Sequence, residues 1–129
     1  MARIIITGTN GFIGKALAKA LHKSNEILAL TTNIKKCLFN SITYEEFLNG
    51  NSKKLNEFSP THFIHCAAIA HKISPISRKQ KTFIREINEF LPLKLAIKSK
   101  ELKIKRFIFI SSIGVFGNQK IINKNSKYK

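Results

Sequence analysis

Aspartate is missing altogether: all seven acidic residues of the 129 are glutamate. Any metal site or mechanism that requires an Asp carboxylate is thereby excluded. Cysteine is nearly absent, and Cys37 and Cys66 stand without a framework of spacings, so reduced thiols are expected. Long apolar runs are absent too. No stretch approaches about 18 apolar residues, and the opening Met1-Ala2-Arg3-Ile4-Ile5-Ile6 breaks at Gly8, too early for the apolar region of a signal peptide. The chain therefore reads as cytoplasmic, with no membrane segment. No internal repeat is visible, and 43% hydrophobic content over this length suits one domain with a real core and leaves no room for a second.

What the chain has in excess is positive charge, a formal +16. Such a charge invites a nucleic-acid reading. The composition offers a different cause: 19 Lys against 4 Arg, with 20 Ile and 11 Asn, is the bias that an A/T-rich genome imposes on any protein. Lysines are spread along the chain, with local density at Lys98 to Arg106 and after Gly117. No aromatic-interleaved basic motif or recognition-helix pattern accompanies them, so no specific nucleic-acid partner is expected.

The most informative stretch is Thr7-Gly8-Thr9-Asn10-Gly11-Phe12-Ile13-Gly14. It follows the apolar run Ile4-Ile5-Ile6 and opens a helix-like pattern, the context that a dinucleotide-binding glycine turn requires. Gly8 permits the turn off the strand, Gly11 lets the backbone approach a pyrophosphate, and Gly14 lets the helix pack close to the strand. The helix start then offers unpaired N–H groups to the phosphates. The bland alternative is a glycine turn of purely structural purpose.

Arg3 to Thr7 reads as a buried parallel strand. Phe12 to Lys23 reads as a crossover helix with Ile13, Ala16, Leu17, Ala20 and Leu21 facing the core and Lys15, Lys19 and Lys23 wet. Glu26 to Leu30 is a second short strand. After it come Thr31, Thr32 and Asn33, then Lys35 and Lys36, where a dinucleotide fold often places an acid on the ribose. Neutral groups suit a free 2′-hydroxyl and a lysine suits a 2′-phosphate. NAD versus NADP stays open, with a lean to NADP.

From Cys37 to Thr61 the pattern is less regular, with short helical pieces at Tyr44 to Leu48 and Lys53 to Phe58 around the turn Asn49-Gly50-Asn51. Thr61 to Ala68 is an apolar strand ending in small residues, Cys66, Ala67 and Ala68, which leave room for a ligand at the strand's carboxyl end. His62, His65, Cys66 and His71 also invite a count as metal ligands. Strand alternation turns His65 and Cys66 to opposite faces, and no second ligand pair exists, so no metal is expected. Arg78 to Lys100 carries the longest helical pattern, with a wide apolar face of Phe83, Ile84, Ile87, Phe90, Leu91, Leu95 and Ile97. Pro92 inside it predicts a kink, since it cannot donate to the carbonyl of Asn88. Lys105 to Ser112 is a last buried strand whose end brings the hydroxyls of Ser111 and Ser112 to the chemical side of the fold.

The Thr7 to Gly14 turn, His65-Cys66-Ala67-Ala68, Asn88 in the long helix, and Arg106-Phe107-Ile108-Phe109-Ile110-Ser111-Ser112 with Val115-Phe116-Gly117 together resemble the extended short-chain dehydrogenase/reductases. The resemblance is narrower still to the NAD(P)-dependent epimerase/dehydratase branch that works on nucleotide-sugars, and it covers essentially the whole chain. It implies an α/β fold, a Rossmann-like doubly wound parallel sheet truncated after about the fifth strand. Residues 1–117 would form the NAD(P)-binding domain and 118–129 a basic tail. It implies cofactor contacts from Thr7, Gly8, Asn10, Gly11, Phe12, Ile13, Gly14, Thr32, Cys66, Ala67, Ala68 and Ser111, and places Ser112 at the family's catalytic Ser/Thr. It also implies a homodimer through the helix near residues 78–100.

This sequence departs from the family's pattern in three places. Phe116 stands where Tyr is usual. The Asp that commonly touches adenine has no counterpart, with Asn40 or Ser41 falling near its place. The Tyr-x-x-x-Lys motif is absent: Tyr44 is followed by Leu48, and Tyr128 only by Lys129. In the family's mechanism a tyrosinate beside that lysine removes a hydroxyl proton as hydride passes to the nicotinamide, while the serine holds the substrate oxygen. Ser112 would remain as the holder, and the acid/base would be lost. The sequence thus resembles the N-terminal cofactor half of such an enzyme, from a truncated gene, a split enzyme or a fragment. The competing expectations are a non-catalytic nucleotide-binding module and, on charge alone, a basic nucleic-acid-binding domain.

Overall fold

Ile4, Ile5 and Ile6 leave a strand with no polar face, so it can be accommodated only with cover on both sides. In the computed structural model, which describes residues 1–69, 77–112 and 122–127, that strand is the centre of a parallel sheet. The strands are β1 (Arg3–Thr7), β2 (Glu26–Thr31), β3 (Ser41–Thr43), β4 (His62–His65) and β5 (Arg106–Phe109). They lie in the order β3-β2-β1-β4-β5, all parallel. The chain winds outward from β1 to β3, returns beside β1 with β4, and winds the other way to β5. This is the doubly wound arrangement expected, with its switch point between β1 and β4.

Alternation sorts the side chains onto two cores. Ile5, Leu28, Leu30, Ile42 and Phe63 meet Phe47, Leu55 and Leu95 from the helices α2 (Tyr44–Asn49), α3 (Lys53–Phe58) and α5 (Leu91–Glu101). Phe63 anchors this side, with ring centroids 5.2 Å from Phe47 and 4.9 Å from Phe107. On the other face Ile4, Ile6, Ile27 and Ile64 pack on Ala18 of α1 (Phe12–Leu21).

The facing of α1 differs from the periodicity reading. Gly14 and Ala18 are its buried residues, Leu17 and Leu21 are half-buried, and Ile13, Ala16 and Ala20 are exposed. The smallest side chains, four apart, face the sheet because the helix lies against backbone: a Cβ at Gly14 would overlap the Gly8 carbonyl oxygen. The strand β3 was not evident from its sequence. Three residues are too few to show a period, and its place is decided by pairing with Ala29 to Thr31 of β2.

The long helix is broken into α4 (Arg78–Arg85), a π-helical turn (Glu86–Phe90) and α5. Pro92 falls in the first turn of α5, where its missing N–H costs least. The chain adjusts just ahead of it, the Leu91 N–H reaching the Glu86 carbonyl five residues back. A capping box of Ser77 and Gln80 starts α4, and one of Thr43 and Glu46 starts α2.

The expected boundary at residue 117 and the Val115-Phe116-Gly117 element lie outside the described residues, as do His71 and Tyr128. Of the tail, residues 122–127 hold a small turn in which the Ser126 N–H donates to the Asn123 carbonyl. No described helix is long and apolar enough to cross a membrane.

Leu95 is fully buried between α2 and the sheet, whereas Leu93 is 59% exposed on the same helix. Leu95→Ala is expected to lower the unfolding free energy by about 2–5 kcal/mol, and Leu93→Ala by less than about 0.5 kcal/mol. Urea titration followed by far-ultraviolet circular dichroism measures both.

Candidate functional site

The carboxyl ends of β1, β2 and β4 enclose a cleft of about 470 Å³, a size suited to a small organic ligand. Gly8, Thr9 and Asn10 form one side, Thr31, Thr32 and Tyr44 a second, Ala67, Ala68 and Ile69 a third, and Ile87 and Leu91 close it from the helix. Among the described residues no charged side chain lines it. The cleft sits at the switch point, the place where open α/β sheets bind ligands.

Gly8 turns the chain off β1 with φ +72°, and a Cβ there would stand 2.9 Å from the Ala67 nitrogen. Gly11 is the N-cap of α1, and neither its own missing side chain nor an acidic residue in the first turn satisfies the helix's free N–H groups. They are left with their partial positive charge beside Gly8 and Asn10, an arrangement that suits an anion. Gly14 is the structural member of the three. Phe12 is 94% and Ile13 49% exposed, and neither lines the cleft.

Thr7 binds the two sides together. Its Oγ1 accepts from the Cys66 N–H at 3.0 Å and the Ala67 N–H at 3.1 Å, and lies 2.8 Å from His65 Nδ1. Both Thr7 and His65 are buried, and the imidazole stacks on Phe109 with centroids 5.6 Å apart. Cys66 goes to the opposite face, among the residues packed on α1, and burial pushes its thiol pKa up. Among the described residues no group of three His, Cys or Glu side chains is placed to hold a metal.

Three further residues were not selected from the sequence. Tyr44 lines the cleft; burial raises its pKa, with a hydrogen bond to Thr7 working against the rise. At the carboxyl end of β3 stand Thr43 and Tyr44, while Ser41 begins the strand and Asn40 precedes it. Asn88, noted only as part of a motif, uses its side chain on the backbone of Ile69: Oδ1 accepts from the Ile69 N–H at 2.8 Å and Nδ2 donates to its carbonyl at 2.9 Å. This two-point clamp holds the loop after β4 against the π-helical turn. Ile87 reaches the cleft from that same turn. No local sequence signal marks Tyr44 or Ile87, since both read as apolar helix residues. Ser111 and Ser112 follow β5 on exposed backbone and do not line the cleft.

Residues 4–129 match the model of the NAD dependent epimerase/dehydratase family. A UDP-glucose 4-epimerase of Vibrio cholerae is 29% identical over 127 residues, covering 92% of this chain and 37% of its own length. Among solved structures, the UDP-N-acetylglucosamine 4-epimerase of Bacillus cereus superposes with a TM-score of 0.76 at 20% identity, over 100% of this chain and 44% of that one. The Bordetella bronchiseptica enzyme WbmH in complex with NAD+ gives 0.74 at 14% identity, over 100% and 46%. At these identities the structures share the fold with this chain, which spans less than half the length of each relative.

Burial holds the His65 imidazole down at about 4, against an ordinary value of 6.5. The unfolded chain therefore takes up this proton first as pH falls. Stability from this residue is full above about pH 6.5 and declines as pH drops towards about 4, by at most about 3 kcal/mol. His65→Asn is expected to flatten that part of the stability profile, read by urea unfolding at a series of pH values; parallel profiles would contradict the assignment.

Proposed function

The chain belongs to the NAD dependent epimerase/dehydratase family, and from that premise we propose that it is the NAD-binding part of a nucleotide-sugar epimerase or dehydratase, holding the dinucleotide in the cleft at the β1/β4 switch point. The observation that carries the reading is the glycine cradle. Gly11 opens an uncapped helix N-terminus beside a cleft lined by backbone and small side chains, where a pyrophosphate can approach the N–H groups directly. Relatives whose structures hold NAD, such as WbmH, support the same ligand.

For the adenosine ribose, Thr31 and Thr32 at the end of β2 offer neutral hydroxyls, while Lys35 and Lys36 lie exposed on a 3₁₀ turn outside the cleft lining. A free 2′-hydroxyl suits that wall better than a 2′-phosphate, so we take NAD as the ligand in preference to NADP. Bound NAD would supply hydride exchange. Around it, Ala67 and Ala68 leave room for the ligand, Asn88 holds the Ile69 loop in place, and Ser112 at the end of β5 is proposed to hold a substrate hydroxyl. The exposed Phe83, Phe90, Leu93 and Ile97 along α4 and α5 are proposed as the face through which a homodimer forms. Free Cys37 and Cys66 fit a reducing, cytoplasmic location.

A second reading is a nucleotide-binding module without chemistry, and these 129 residues contain no Tyr-x-x-x-Lys. A positioned general acid/base is worth about 100- to 10,000-fold in rate. The 129-residue chain is accordingly expected to bind NADH and to show no epimerase or dehydratase turnover on UDP-sugars; turnover abolished by Ser112→Ala would contradict this.

The glycines separate binding from folding. A Cβ at Gly11 meets only the Gly8 carbonyl oxygen, at 3.3 Å. Gly11→Val is therefore expected to lower the urea midpoint less than Gly14→Ala does while weakening NADH binding at least about 10-fold, measured by fluorescence titration. Gly14→Ala should lower the midpoint more, because its Cβ overlaps backbone. Undiminished NADH binding by Gly11→Val would remove the cofactor assignment.

A further inference from the structure

The Thr7 hydroxyl has four partners, the Cys66 and Ala67 amides, His65 and Tyr44, and their donor and acceptor roles constrain one another. The N–H groups of Cys66 and Ala67 can only donate, and at 3.0 and 3.1 Å they occupy both lone pairs of Thr7 Oγ1. The oxygen is left with its proton to give, and His65 Nδ1 lies 2.8 Å away. Were that proton turned towards the Tyr44 hydroxyl instead, His65 would have to donate through Nδ1 to an oxygen with no lone pair left. We infer that His65 is a positioning residue for the cleft: as the Nε2–H tautomer it accepts the Thr7 proton at Nδ1 and so holds both Thr7 lone pairs on the Cys66 and Ala67 amides.

The ring is 1% exposed and its Nε2 has no hydrogen-bond partner among the described residues in either tautomer, so all the polar engagement of the imidazole runs through Nδ1. The ring is also held in orientation, stacked at 16° to Phe109 on the neighbouring strand. The consequence reaches the cleft because Ala67 lines it and its nitrogen is the atom closest to where a Cβ on Gly8 would stand. A Thr7 hydroxyl free to rotate would release one of the two amides and let the loop after β4 move relative to the glycine turn. The part of the inference that concerns ligand binding rests on the proposed NAD site; the tautomer and the amide bonds do not.

The test uses the full 129-residue chain. Long-range proton–nitrogen NMR of the His65 ring should show Nδ1 unprotonated and the proton on Nε2; a proton on Nδ1 would overturn the inference whether or not any ligand binds. His65→Asn places an amide oxygen near the position of Nδ1, whereas His65→Phe keeps the stack on Phe109 and removes the acceptor. Hydrogen exchange at the Cys66 and Ala67 amides should quicken in His65→Phe and stay close to wild type in His65→Asn. NADH affinity should fall about 10-fold in His65→Phe, the scale of one hydrogen bond, and be largely kept in His65→Asn. Equal exchange and equal affinity in the two variants would refute positioning through Nδ1. If wild type binds no NADH, the NAD proposal fails, and the tautomer and amide exchange still decide the role of His65.

Discussion

Three stretches of backbone meet at Gly8, and none leaves room for a side chain. Its φ of +72° turns the chain out of β1, the first turn of α1 rests on its carbonyl at Gly14, and the loop after β4 passes at Ala67 within 2.9 Å of where a Cβ would be. Most of the site's geometry follows from that junction. The helix can lie close because Gly14 and Ala18 face the sheet, and its free N–H groups therefore open beside the strand ends. Thr7, one residue before the turn, ties the same loop by two amide bonds, so the cleft has a fixed floor before any ligand arrives.

Cover is distributed unevenly over the sheet. β1 and β2 have apolar residues buried on both faces, as parallel strands require. β5 has the same composition and a different environment: Ile108, Phe109 and Ile110 are 41%, 49% and 36% exposed, and the strand pairs only with β4 among the described residues. An apolar strand at a sheet edge presents unpaired N–H and C=O groups together with uncovered side chains, a surface that folded proteins otherwise keep short, charged or covered. The flanking Lys103, Lys105 and Arg106 supply some charge at this edge. That imbalance is physically consistent with a chain spanning 37% to 46% of the length of its relatives.

The exposed apolar residues of α4 and α5 belong to the same pattern. Leu95 is at the bottom of one core while Leu93 and Ile97, two positions to either side, face outward. Helical spacing within α5 sets this division, and the π-helical turn ahead of Pro92 inserts an extra residue that rotates everything upstream relative to α5. It also directs Ile87 towards the cleft and Asn88 towards Ile69, so a backbone irregularity forced by one proline is used to shape the site.

Much of this protein was legible in the residues alone. The strand, glycine turn and helix from Arg3 to Leu21, the small residues Cys66 to Ala68 and the opposite facing of His65 and Cys66 all depend on local spacing, and local spacing is what a sequence displays. The facing of α1 was legible only in part: the glycine spacing put Gly14 close to the strand, but periodicity also turned Ile13, Ala16 and Ala20 inward, because hydrophobicity cannot express a contact between two backbones. β3 and Tyr44 escaped for a related reason, since a three-residue strand is specified by its neighbour and a cleft wall by strands far apart in the chain. The hydrogen bond from Thr7 to His65 joins residues 58 apart. Residue spacing thus determined the longer elements and the place of the glycine cradle. Only the parallel pairing of β1 with β4 brought a hydroxyl, an imidazole and two amides to one point, because hydrogen bonds need separations near 3 Å that distance along the chain does not encode.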